Sequence, residues 1–188
     1  MKKNITKYGI LSFFGIAMIY QFIPIGDYCS GLLSGLNFLF FAGLLILTFF
    51  IVTIINLIKI YKKKQKFDLF PLILILSFGI IGYIIMSLEN KKFWTTVKLS
   101  GIIQVEGRSP SGTLKLYKNG TFGATYHSIE YSCTFQGEYK LKNNKLQLER
   151  KDILIETDSI FTNQYVLNTV KESLTPINKS FKTIKIIK

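Results

Sequence analysis

The chain has 188 residues, with 24 lysines and arginines against 11 acidic residues, a net charge of +13. Two cysteines and one histidine are too few for a disulfide scaffold, a zinc cluster or imidazole-based acid–base chemistry. No phosphate-cradling glycine loop or carboxylate pair accompanies them, so the sequence predicts neither an enzyme nor a cofactor.

The charge is spread evenly, +7 over residues 1–92 and +6 over residues 93–188, without a basic helix or recognition motif. Nucleic acid is therefore set aside as a partner. The lysines of the first half instead suit anionic headgroups and the orientation of membrane spans.

Three uncharged stretches follow one another: 8–25 (YGILSFFGIAMIYQFIPI), 36–58 and 69–88. About twenty apolar residues cover the hydrocarbon core, and only a helix satisfies its own backbone there, so three transmembrane helices are predicted, the first barely long enough. The first stretch also has a signal-peptide reading, with Lys2, Lys3 and Lys7 before it. Gln21 and Pro24 close it, however, and no small-x-small cleavage site follows, which favours a retained span. The loop from Gly26 to Gly35 has no lysine, whereas the next loop carries Lys59, Lys62, Lys63, Lys64 and Lys66. The positive-inside rule then places the N-terminus and second loop in the cytoplasm, and the first loop and everything after Leu88 outside. Lys91 and Lys92 weigh mildly the other way. No Asp, Glu, Lys, Arg or His lies within these stretches, which disfavours a pump or transporter.

After Lys92 the composition becomes mixed, and residues 93–188 are predicted to form a separate antiparallel β domain. A first strand is expected over Thr96 to Val105. Asn119-Gly120 marks a hairpin. A three-residue loop, Lys118-Asn119-Gly120, pairs Leu116 with Phe122 and Leu114 with Ala124, gathering the apolar residues on one face. Tyr131, Cys133, Phe135, Gly137, Tyr139 and Leu141 alternate with polar residues, Asn143-Asn144 turns the chain, and Leu146 and Leu148 return opposite Leu141 and Tyr139. Ile153 and Ile155 read as the start of a further strand, followed by Tyr165-Val166-Leu167 and Phe181 to Ile187. Seven or eight short, evenly spaced strands predict a small barrel or sandwich.

His127, Ser128 and Glu130 resemble hydrolase parts, but they are sequence neighbours in an expected turn and do not make a converging triad. Cys133 is expected as a small buried hydrophobe. A bridge to Cys29 is permitted, since both share the outer compartment, but is not expected. Phe122, Tyr126, Tyr131, Phe135 and Tyr139 form one aromatic face, which either packs as core or lines a ligand cavity.

N-terminal spans followed by a minimal β-barrel resemble the transmembrane β-barrel effectors of bacterial cyclic-oligonucleotide (CBASS) antiphage systems. That resemblance implies a barrel that senses a cyclic nucleotide and spans that assemble as homo-oligomers to breach the inner membrane. It also implies two spans and a cytoplasmic barrel, whereas the lysines here give three spans and an outer barrel. The residues themselves favour a non-enzymatic protein of the bacterial inner membrane whose β domain binds a partner or small molecule.

Overall fold

The computed structural model describes residues 2–20, 22–62, 68–87, 92–103 and 111–187. Gln21, Lys63, Lys64, Lys66, Leu88, Lys91, Gln104 and Val105, which enter the sequence reading, lie outside the described residues. The chain divides into two units: Met1–Pro24 with Leu33–Lys91, and Ile25–Leu32 with Lys92–Lys188. The β unit takes a piece of the first loop, Ile25–Leu32, besides the chain from Lys92 onward.

The helical unit contains α1 (Lys2–Tyr20), α2 (Leu32–Tyr61) and α3 (Phe70–Ser87). Two of these, α2 and α3, are long and apolar enough to cross a membrane. The third expected span, over 8–25, needs correction. The helix begins six residues earlier, takes in Lys2, Lys3 and Lys7, and ends at Tyr20, four residues before Pro24. Its uncharged part, from Tyr8 to Tyr20, is about 20 Å long at 1.5 Å per residue, short of a hydrocarbon core of about 30 Å.

Even so, α1 packs with the other two helices. Leu11, Met18 and Ile19 of α1 share a buried cluster with Leu45 and Val52 of α2, and Phe78 of α3 packs against it. Gly15 lets α1 approach: a Cβ there would lie 2.5 Å from Cγ of Phe78. Lys7 donates to Asn56 Oδ1 at 3.2 Å, and the rings of Tyr8 and Phe70 meet at 4.7 Å. The start of α1 therefore lies beside the end of α2 and the start of α3, so Lys7 sits at the same end as Lys59.

The β unit contains β1 (Tyr28–Gly31), β2 (Val97–Ile103), β3 (Ser111–Tyr117), β4 (Thr121–His127), β5 (Tyr131–Lys142), β6 (Lys145–Glu149), the short helix α4 (Ile153–Glu156), β7 (Gln164–Asn168), β8 (Ser173–Pro176) and β9 (Ile184–Ile187). The strand order is β5-β4-β3-β2-β9-β8-β7-β6, and β6 pairs back onto β5, closing an eight-stranded antiparallel barrel. β1 adds to β5 as a ninth strand.

The hairpin registers fall as predicted. Leu116 opposes Phe122 and Leu114 opposes Ala124, with Gly120 left-handed at φ 84° in the loop. Leu141 opposes Leu146 and Tyr139 opposes Leu148, joined by Asn143 and Asn144 at φ 48° and 61°, the pair of positive angles that a two-residue turn of the strands' own twist requires. Ile103, Leu114, Leu116, Phe122, Ala124, Leu146, Leu148, Tyr165, Leu174 and Ile184 fill the interior, so the barrel is solid.

Three expectations fail in this unit. Ile153 and Ile155 do not begin a strand: Ile155 and Glu156 donate their N–H groups to the Asp152 carbonyl, making one helical turn. Ile153 is buried in the barrel and Ile155 is 83 % exposed, so the alternation that imitated a strand marks the inner and outer sides of a plug. Cys29 and Cys133 are not free thiols but form a disulfide. Finally, β8 was not foreseen; it is four residues long and ends in Pro176.

Candidate ligand-binding cleft

β4 and β5 lie side by side, with Tyr126 opposite Cys133, Ala124 opposite Phe135 and Phe122 opposite Gly137. Strand alternation puts all of these, with Tyr131 and Tyr139, on the inward face. The predicted aromatic face therefore exists, but its ends have different surroundings. Phe122 is fully buried, and Tyr139 packs on the same core and donates its hydroxyl to the Tyr117 carbonyl at 2.9 Å. Gly137 makes room for Phe122: a Cβ there would lie 2.7 Å from the ring.

Towards the other end of the strands, the segment after β6 crosses the barrel opening. Ile153 and Phe161 enter the core, and Thr157 accepts from the Phe161 N–H while donating to the Ile153 carbonyl. This plug leaves one corner uncovered. There, Tyr126, Tyr131, Cys133 and Phe135 on the strands face Ile155, Glu156 and Asp158 on the plug across a cleft of about 310 Å³. The Tyr126 and Tyr131 rings are 6.1 Å apart and tilted by 57°. Three of the five predicted aromatic residues thus line a cavity, while Phe122 and Tyr139 are core.

One wall of the cleft is tied to the first loop. Cys29 opposes Cys133 across the β1–β5 pairing, and their disulfide joins residues 104 apart in sequence. β1 covers Tyr131 to Thr134 of one β5 edge and β6 covers Glu138 to Lys142 of the same edge. In the gap between them the Gln136 N–H donates to Asp27 Oδ1 at 2.8 Å, and its carbonyl accepts from Arg150 Nη1 at 2.8 Å. Arg150 also grips Asp27 with both terminal nitrogens, at 2.6 and 2.8 Å, and reaches Asp152 at 2.8 and 3.0 Å.

A charged pair thus completes the edge where neither strand reaches, and the guanidinium lies 5.4 Å from the centre of the Phe135 ring. Burial pushes the Asp27 carboxyl up, but the Arg150 hydrogen bonds and the Gln136 N–H outweigh it and hold Asp27 below the usual carboxylate range. Arg150 is raised well above its ordinary value, chiefly by Asp27.

His127 ends β4 and turns Nε2 to Thr113 Oγ1 at 3.1 Å, while the Ser128 N–H donates to the Tyr131 carbonyl. The structure does not bring the His127, Ser128 and Glu130 side chains together. Burial, then Lys115, lowers the histidine's pKa. Among the described residues no group of His, Cys, Asp and Glu is placed to hold a metal ion.

Sequence reasoning missed Asp27, Arg150, Glu156 and Asp158. Asp27 lies before a strand of only four residues, and the others follow a segment whose periodicity was that of a strand. Compared with protein-family models, curated proteins and solved structures, the chain finds no match.

Proposed function

We propose that this is a non-enzymatic, multi-pass protein of the bacterial cytoplasmic membrane that holds a β-barrel on the outer side as a binding module for a partner or small ligand. The observation that carries this reading is the pairing and disulfide between β1 and β5. β1 directly precedes α2, and the barrel follows α3. A helical hairpin of two spans returns the chain to the side on which it entered, so β1 and the barrel share a compartment whether or not α1 also crosses. Disulfides persist in oxidising compartments, which makes that side the outer one.

The lysines support the same orientation. Lys7 of α1 lies beside Lys59 near the end of α2, the arrangement expected at a cytoplasmic face. The outward surfaces of α2 and α3 carry exposed Leu39, Phe40, Phe50, Ile54, Ile73 and Ile80, which lipid would cover. Phe93 and Trp94, in edge-to-face contact just after α3, suit the aromatic belt at a membrane interface.

Alkaline phosphatase fused after Lys92 is expected to be active, and fused after Lys64 inactive. The reverse pattern would place the barrel in the cytoplasm, within reach of a cyclic-nucleotide messenger. It would then favour the antiphage-effector reading.

A further inference from the structure

We infer that the cleft at the barrel mouth takes an organic cation, a quaternary or primary ammonium group, and discriminates against anions. This rests on the reading of the barrel as a binding module and names the ligand class of that site.

The cleft volume, about 310 Å³, suits a small molecule or a single side chain of a larger partner. Its strand wall presents Tyr126, Tyr131 and Phe135. Aromatic faces carry negative potential and attract cations, most strongly weakly hydrated ones such as quaternary ammonium groups. Its plug wall presents Glu156 and Asp158, both exposed and both without a salt-bridge partner among the described residues.

In a chain of net charge +13, two carboxylates without a salt-bridge partner among the described residues face this aromatic wall, a pairing that attracts a cation. The neighbouring cation, Arg150, is held by Asp27 and Asp152, so it does not neutralise the plug wall. A cyclic nucleotide would bring phosphates against Glu156 and Asp158 and, among the described residues, would find no free guanidinium to receive them.

The test uses the full-length protein in detergent micelles, titrated calorimetrically at fixed ionic strength with choline. Comparators are its uncharged isostere 3,3-dimethylbutanol and the anion cyclic di-AMP. Saturable choline binding is expected, with the isostere weaker by about tenfold and no binding of cyclic di-AMP. The double variant Glu156→Gln/Asp158→Asn, which alters only exposed side chains, should weaken choline binding by about tenfold, and Tyr131→Ala by a similar factor.

Absence of saturable choline binding, equal binding of the isostere, preference for cyclic di-AMP, or indifference to the carboxylate substitutions would each overturn the inference. Binding in micelles does not depend on sidedness. A failed titration beside the expected fusion pattern therefore removes only the ligand class, and an inverted fusion pattern beside intact choline binding removes only the outward placement.

Discussion

Replacing both cysteines, Cys29→Ser with Cys133→Ser, tests how the first loop holds the barrel. Closing a loop of 104 residues removes enough entropy from the unfolded chain to stabilise the fold by about 4.7 kcal/mol at 25 °C. That figure treats the whole loop as flexible. If α2 and α3 stay helical when the barrel opens, taking their 30 and 18 residues from the 104 leaves about 56 and lowers the ceiling to about 4.2 kcal/mol. Disulfides typically contribute about 2–4 kcal/mol, so a loss in that range, below the ceiling, is expected. The variant should nevertheless fold, because β5 and β6 close the barrel without β1. Hydrogen–deuterium exchange of peptides from β4 and β5, followed through a urea series in micelles, reads the loss as a shift in midpoint. Maleimide tagging before and after reduction confirms that the wild type is oxidised. A shift below about 0.5 kcal/mol with an oxidised wild type would refute the loop-closure argument.

Asp27→Asn should lower the urea midpoint at pH 7 and lower it by less at pH 3. A carboxyl held below its ordinary value stabilises the fold above about pH 3.9, and that contribution disappears as pH falls through the folded-state value. Equal effects at both pH values would show that the hydrogen bonds, not the charge, matter. Phe122→Ala should cost about 3–5 kcal/mol and Lys115→Asp less than about 1 kcal/mol in the same exchange assay; comparable losses would mean that the two faces of the hairpin are misassigned. Gly137→Ala should cost about 1–3 kcal/mol, because the added methyl meets the Phe122 ring, and an unchanged midpoint would place that ring elsewhere.

The outcomes for Leu116, Phe122, Leu146 and Leu148 show which part of such a fold is readable from sequence. Their registers depend on alternation over adjacent strands and on turns whose backbone demands Gly or Asn, all within about ten residues of chain. β1 lacked both signals. Four residues are too few to show a period, and its partner lies more than a hundred residues away. For the same reason a bridge between the cysteines was permitted by their shared compartment but not expected.

At Ile153 and Ile155 the period was genuine but its cause was not a sheet, since a one-turn plug also has an inner and an outer side. The aromatic face was legible as a face. Its division into core and cleft was not, because that depends on where Phe161 and α4 stop covering the mouth. Gln136, one of the polar residues of the β5 alternation, is the point where Asp27 and Arg150 meet the strand.

The first strand made is therefore among the last to find its partner. At about 5–20 residues per second, the ribosome needs roughly 5–20 s to travel from Cys29 to Cys133. During that interval α2 and α3 are synthesised, and Tyr28–Gly31 waits without a neighbour. The Cys29–Cys133 bond can form only after both hairpin helices and the first residues of β5 have emerged, so its appearance dates a late stage of maturation. Pulse-labelled chains trapped with a thiol reagent at successive times would record that stage as the moment when two alkylatable cysteines become none.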